Sequence, residues 1–390
     1  MVYTLSTPLL ILLTCARLEL NEDQSKRLVA LCQEIEDPTE LISLAQTHMV
    51  LSLMYRHLRG LELENISPAL MESLRASCFG IVGQTLRLGA EQQQLVSEVL
   101  QPLDVPYVLF KGPSLAVRYY GDLGLRQARD IDVLIKGTRL FEVVEALLER
   151  GYRLYPGMLA ELYDEPFANR QDLEAACRYL NVMSLVSPNG ILLELHRFVD
   201  TMGHIFPPQM LLAMAEPLEF RGVSYQVLST AALFVYICYH HSRHQWSRLH
   251  WLADLDAVQR DPSFDLSEVR QLAARLGLTS LVNAALELHR ACAEADPGAV
   301  ALTDPLAQSM RDECLQNIAS KENLRASHRP PASTSWAAKM RYLAATYLRP
   351  TYTDYKSWPL PSTLHPVYYV SRPFRGLLKR TSHSAEEILS

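Results

Sequence analysis

Apolar residues recur at helical spacing through the first hundred positions of the chain. Leu28, Val29, Leu31 and Ile35 form one such set, Ile42, Ala45, Met49 and Leu53 a second, and Leu70, Leu74, Ile81, Leu88 and Leu95 a longer third, opened by Ser67 and Pro68. The spacing predicts three or four helices packed as an N-terminal cap over residues 1–101. The period then changes. Tyr107 to Phe110 is a continuous apolar run of the β-branched and aromatic kind, which predicts a buried strand closed by Lys111 and Gly112. Pro113 lacks the N–H that a first helical turn leaves unbonded, and so predicts a helix through Leu115, Ala116, Val117 and Tyr120. A second strand follows at Asp130 to Ile135, where Asp130 and Asp132 project from one face and Val133, Leu134 and Ile135 fix the strand in a core.

Downstream, Leu140, Val143, Val144 and Leu147 give a helix from Gly137 to Arg150 with Gly151 as its stop. Tyr152 to Tyr155 reads as a short strand, and Pro156 to Ala176 as an acidic, irregular excursion over the site. Arg178 to Val186 and Ile191 to His196 read as two strands joined by Ser187, Pro188, Asn189 and Gly190, a hairpin signal. Alternation puts Leu192, Glu194 and His196 on one face of the second arm, with Leu193 and Leu195 on the other. Helical spacing returns from Ser229 to about Cys314, in Leu233 to Tyr239, Leu266 to Leu276 and Leu281 to Cys292, with a charged turn from His240 to His250. Ser327 to Ser335, with Pro330 and Pro331, suits a linker, and Thr351 to Ser390 is rich in Tyr, Pro and Arg. The pattern predicts an α+β fold. A small mixed sheet at 102–204 is flanked by the helical cap at 1–101 and a helical domain at 205–326, with a basic Pro/Tyr-rich extension at 327–390.

Composition narrows the function classes. With 390 residues, 48% hydrophobic and 21% charged, the chain has an ordinary globular make-up, and its net charge of −6 argues against a generally basic nucleic-acid binder. The charge is uneven: residues from 301 onward hold 12 Lys and Arg against 7 Asp and Glu, so the tail is the basic part. Bulk nucleic acid is disfavoured as a partner, while a short RNA end stays open. The seven cysteines are scattered and never spaced as CxxC, which predicts reduced, buried thiols in a cytoplasmic protein rather than a disulfide framework or zinc knuckle. Leu9 to Cys15 is short and follows no basic residue, so it reads as a helix started by Ser6 or Thr7 and Pro8. Nothing approaches membrane-spanning length, and no membrane partner is expected.

The chemistry concentrates around the two first strands. A strand that passes to a helix through a glycine turn leaves backbone N–H groups and the positive end of the helix dipole facing the turn, where phosphate settles. Lys111 would reach phosphate oxygens as a mobile charge, and Ser114 could add a hydroxyl or simply cap the helix. Two adjacent carboxylates such as Asp130 and Asp132 repel unless a positive charge lies between them, and Mg²⁺ shares its shell among carboxylates, phosphates and water. Glu194, on a neighbouring strand, could complete the metal cage or take a proton from an attacking hydroxyl. Arg126 could neutralise Asp130 or bind triphosphate, whereas Arg129 points to the opposite strand face and suits a structural partner. His196 could bind phosphate, orient Glu194 or be satisfied within the sheet. His240 and His244 share a helical face beside His241, but a third zinc ligand of fixed placement is lacking. Arg243, Arg248 and Asp254 read as a polar helix face lining the cleft.

The segment FKGPSLAVRYYGDLGLRQARDIDVLI, with Glu-Leu-His at residues 194–196 and HHSRHQWSRLHWLADLDAV from His240, resembles a bacterial family of nucleotidyltransferases in the DNA polymerase β-like superfamily. The similarity runs from the helical N-terminal part to about Ala257, and more loosely into the tail. It implies a small mixed sheet with flanking helices. It also implies transfer of a nucleoside monophosphate from an NTP such as ATP to an acceptor, with loss of pyrophosphate and with Mg²⁺ or Mn²⁺ as cofactor. In that mapping Gly112 and Ser114 stand at the phosphate-binding turn, Asp130 and Asp132 at the metal pair, and Glu194 at the third acid. The chain departs from the family pattern at Pro113, which separates Gly112 from Ser114, in the long gap from Ser114 to Asp130, and at Glu194, where aspartate is commoner. The acceptor is a small hydroxyl compound, a peptide or protein, or an RNA end. The alternative is a catalytically silent scaffold that keeps the fold and binds a partner protein.

Overall fold

Asp130–Ile135 becomes the middle strand of a seven-stranded mixed sheet. The strands are β1 (Tyr107–Leu109), β2 (Asp130–Ile135), β3 (Arg153–Leu154), β4 (Val182–Val186), β5 (Leu192–His196), β6 (Ala215–Phe220) and β7 (Val223–Leu228), in the order β3-β4-β5-β2-β1-β7-β6. β2 runs antiparallel to β1 and parallel to β5. Paired on both sides, it is the strand whose apolar residues are best covered: Ile131, Val133, Leu134 and Ile135 are fully buried. The computed structural model describes residues 5–35, 38–61, 68–157, 159–163, 166–200, 203–320 and 336–378.

Two compact units share the chain, each assembled from separated stretches: Met1–Gly89, Pro113–Ala128 and Ser229–Thr334 in the first, and Ala90–Gly112, Arg129–Leu228 and Ser335–Ser390 in the second. The second unit holds the whole sheet. Its β4–β5 hairpin turns through the expected residues, with Gly190 at φ 77°, the Gly190 N–H donating to Ser187 O at 2.9 Å, and the Ser187 N–H donating to Ile191 O at 2.9 Å. Its last helices, Trp336–Leu348, Tyr352–Ser357 and Pro366–Leu378, are tied down by buried polar contacts. Tyr352 OH and Lys356 Nζ donate to opposite oxygens of buried Asp172, at 2.6 and 3.3 Å.

The first unit is helical. Thr230–Arg243 is buried on nearly every side from Thr230 to Tyr239, as befits a helix apolar all round, and packs on His250–Arg260, Leu266–Leu276 and Thr279–Ala291. The turn Pro113–Leu115 starts as expected at a proline and continues as a π-helical turn, Ala116–Tyr120, that ends at Gly121 with φ 69°. All seven cysteines are free thiols.

Several expectations are corrected. The stretch 5–101 carries five α-helices among the described residues, not three or four: Thr7–Cys15, Glu22–Gln33, Pro38–Thr47, Leu51–Gly60 and Pro68–Gln94. The second is cut out by a capping box in which Asn21 and Gln24 satisfy each other's backbone N–H groups. Pro156 to Ala176 contains two helices, Leu159–Leu162 and Arg170–Tyr179. The latter starts where the Asn169 side chain accepts from Asp172 N, and it claims Arg178 and Tyr179, so the hairpin's first arm begins at Val182. The supposed helical domain from 205 opens with β6 and β7. Their hairpin turns at Arg221 and Gly222, both at positive φ, and Pro217 is tolerated because β6 is an edge strand. Ser67, the linker at Ser327–Ser335 and residues 379–390 of the tail lie outside the described residues. Among the described residues no helix is long and apolar enough to cross a membrane.

Candidate functional site

The parallel register of β2 and β5 places Asp132 opposite Glu194 and Leu134 opposite His196. Side chains alternate across a strand, so Asp130, Asp132, Glu194 and His196 all project from one face of the second unit's sheet. Asp132, Glu194 and His196 each offer a ligand atom within 4.8 Å of the others, and among the described residues this is the group of acids, histidines and cysteines able to hold a metal ion. The trio anticipated from the sequence shares two members with it. Asp130 lies two residues earlier on the same face, and His196 takes the third place in the cluster.

Lys111, in the loop after β1, reaches Asp132 Oδ1 at 3.4 Å. The imidazole of His196 lies with Nε2 3.0 Å from Asp132 Oδ1 and 3.4 Å from Glu194 Oε2, and Phe110 meets the same ring edge-on at 5.1 Å. Gly112 turns the chain there at φ 68°, and a Cβ at that position would stand 3.1 Å from the backbone oxygen of Asp130. Glycine is required twice over, by the dihedral and by the close approach.

These contacts set the charges. Burial, then the neighbouring charge of Asp132, pushes the Asp130 carboxyl up to about 6, against the pull of Lys111. Burial also opposes the charge on Asp132, yet the Lys111 ammonium and the His196 imidazole hold that carboxyl well below the usual carboxylate range. Burial would lower His196, but its hydrogen bonds to Asp132 and Glu194 prevail and raise it to about 9. Asp132 is therefore an anion held between two of the protein's own cations. The carboxylate oxygens suit Mg²⁺, and His196, once it gives up its proton, would add an imidazole nitrogen that suits Mn²⁺.

Of the remaining sequence candidates, all but Arg129 lie in the first unit. Ser114 is buried in the turn Pro113–Leu115. Arg126 forms a buried bidentate pair with Asp254, Nε to Oδ1 at 2.7 Å and Nη2 to Oδ2 at 2.9 Å, and Tyr120 OH donates to the same carboxylate at 2.7 Å. Asp254 is thus fully buried, not part of a polar surface. Arg129 is exposed. The histidine cluster is packed as aromatic rings: His240 and His244 are 4.6 Å apart, and His241 stacks on Trp251 at 5.3 Å and 15°. The alternation of β5 had placed His196 beside Glu194; that it bridges to Asp132 depends on the β2–β5 register, which no local pattern encodes.

The family model described as an uncharacterised nucleotidyltransferase matches residues 34–294. No curated protein matches the chain. Among solved structures, that of an antigenic nucleotidyltransferase-like protein from Paracoccidioides brasiliensis is similar over 53% of this chain and 91% of its own, at 14% identity and a TM-score of 0.29, a likeness too distant to carry an argument.

Proposed function

We propose, from the premise that the chain belongs to the uncharacterised nucleotidyltransferase family, that it transfers a nucleoside monophosphate from an NTP to a hydroxyl acceptor. The observation that carries this reading is the parallel pairing of Asp132 with Glu194, which supports a site where acids distant in sequence converge on one face of the sheet. Asp132 and Glu194, with Asp130 beside them, would hold Mg²⁺ or Mn²⁺; when bound, the ion offsets charge developing on the transferred phosphoryl group and lowers the pKa of the acceptor hydroxyl. Lys111 pairs with phosphate oxygens from the loop after β1, and the Gly112 turn lets the backbone approach them. The acceptor oxygen attacks the α-phosphorus, the bond from that phosphorus to the bridging oxygen breaks, and pyrophosphate leaves. Glu194, more exposed than Asp132, takes the hydroxyl proton or completes the ion's shell.

The test is incubation of the purified protein with each α-labelled NTP, Mg²⁺ or Mn²⁺ and an extract as the source of acceptors. Labelled product that disappears in Asp130→Asn and in Asp132→Asn supports the reading. Label transferred at the wild-type rate by Asp132→Asn overturns it. Repeating acceptor binding at several salt concentrations separates an RNA end from a small molecule or peptide, because phosphate contacts weaken steeply with salt.

One observation favours a second reading, a catalytically silent scaffold. Asp132 already takes Lys111 at 3.4 Å and His196 at 3.0 Å, so internal cations balance a carboxylate that a metal would need. Calorimetric titration of each NTP with Mg²⁺ or Mn²⁺ distinguishes the two, since a scaffold shows no metal-dependent nucleotide binding.

A further inference from the structure

Phe110 is uncharged, yet its ring is the meeting point of two polar side chains of the candidate site. β1 and β2 pair antiparallel with Leu109 opposite Val133. Carried one residue further, that register sets Phe110 opposite Asp132, on the face of the sheet that also bears Glu194 and His196. The ring is buried, with 2% of its surface exposed. The Lys111 ammonium lies over its face, 5.4 Å from the centroid, and the His196 ring stands nearly perpendicular to it, the centroids 5.1 Å apart at 82°. Both of those side chains then converge on one atom, Asp132 Oδ1, with Lys111 Nζ at 3.4 Å and His196 Nε2 at 3.0 Å.

A leucine would fill most of that space, so packing alone does not call for a phenyl ring at this position. The ring adds two interactions that an aliphatic side chain lacks. The negative face of its π-system attracts the ammonium, and a perpendicular partner ring is a favoured aromatic geometry. Lysine carries its charge on a flexible four-carbon stem, so an ammonium without such a platform samples many directions. A site works only when its groups are held in direction as well as in place. We propose that Phe110 is a positioning residue of this site: its ring aims Lys111 and His196 at Asp132 and keeps the Lys111 ammonium within reach of a nucleotide's phosphates. Phe110 itself touches no reacting atom and acts through those two side chains. The consequence for nucleotide binding rests on the transfer reading, whereas the aiming of Lys111 and His196 does not.

The experiment is a pair of double-mutant cycles in the full chain, Phe110→Leu with Lys111→Met and Phe110→Leu with His196→Gln. Phe110→Leu keeps an apolar side chain in the core, and Lys111→Met keeps the stem while removing the charge. Urea unfolding gives a readout that needs no nucleotide. The expected coupling is about two- to tenfold in the folding equilibrium constant for each pair. Calorimetry gives the second readout. Phe110→Leu should weaken Mg²⁺-dependent binding of a non-hydrolysable NTP about three- to tenfold, and the same change made in Lys111→Met should weaken it no further. A side chain that serves only the core would lower affinity equally in both backgrounds. If Phe110→Leu does not fold, Phe110→Met takes its place. A cycle without coupling, whether with Lys111 or with His196, overturns the proposal, as do equal losses of affinity in the two backgrounds. Wild-type protein that binds no NTP overturns the transfer reading instead, and the unfolding cycles then decide the proposal alone.

Discussion

One imidazole bridges two carboxylates from neighbouring parallel strands: His196 Nε2 lies 3.0 Å from Asp132 and 3.4 Å from Glu194. If the ring joins those acids around a divalent ion, it biases the site toward Mn²⁺, because imidazole is a better ligand for Mn²⁺ than for Mg²⁺. His196→Gln keeps a hydrogen-bonding side chain but removes the ring. Its expected effect is a loss of about tenfold in Mn²⁺ affinity with a smaller loss for Mg²⁺, read by calorimetry in the presence of a non-hydrolysable NTP. An unchanged preference for Mn²⁺ would exclude His196 as a ligand.

Gly112 and Gly190 make a matched pair of tests. Both sit at positive φ, 68° and 77°, but a Cβ on Gly112 would meet Asp130 O at 3.1 Å while one on Gly190 would meet nothing within 4 Å. Gly190→Ala should cost about 1 kcal/mol from the dihedral alone. Gly112→Ala should cost about 1–2 kcal/mol more, because the backbone at the start of β2 must shift, and nucleotide transfer should fall with it. Urea denaturation midpoints of the two variants check the order; a smaller loss for Gly112→Ala contradicts it.

What the sequence revealed follows the range of the forces involved. β2 and the face carrying Glu194 and His196 were legible because a period of two is written in consecutive residues, as in Asp-Ile-Asp-Val-Leu-Ile. The hairpin at Ser187 to Gly190 was legible because its turn residues are local. The helix Arg170–Tyr179 was not, since its buried Asp172 is satisfied by Tyr352 and Lys356 from the far end of the chain, an acid that reads as surface until those donors are known. β6 was hidden by Pro217, which only an edge position permits, and by a turn made of Arg221 and Gly222 in place of the commoner Asn-Gly. Arg126 looked available for phosphate; its bidentate bonds to Asp254, a partner over a hundred residues away, could not be read from spacing.

That pair supports a stability prediction. Asp254 is fully buried and takes two bonds from Arg126, whose charge holds its carboxyl down at about 2 even though burial works to raise it. Arg126→Met leaves a buried carboxylate without its cation and should cost about 3–5 kcal/mol in denaturant unfolding. The double variant Arg126→Met/Asp254→Leu removes both charges and should recover a large part of that loss. Equal losses for the single and double variants would show that the pair's electrostatics are not what stabilises the first unit.

Buried histidines of the first unit, His48 and His250 among them, limit its stability toward acid. Burial, aided by Arg248, pushes His48 down to about 4; burial, with Arg126 and Arg248 adding to it and Asp254 opposing, pushes His250 down to about 3. An unfolded chain protonates histidine near pH 6.5, so above that value neither ring affects stability. As pH falls below it the unfolded state takes up protons that the folded state refuses, and stability declines until the folded values near 4 and 3 are reached. At pH 5 each ring should already cost on the order of 1–2 kcal/mol. Urea titrations between pH 7.5 and 5 should show this loss, and His48→Leu should reduce the slope by the share of one proton. A slope unchanged in that variant would mean that His48 is already protonated in the folded protein, or that it never titrates in this range in the unfolded one.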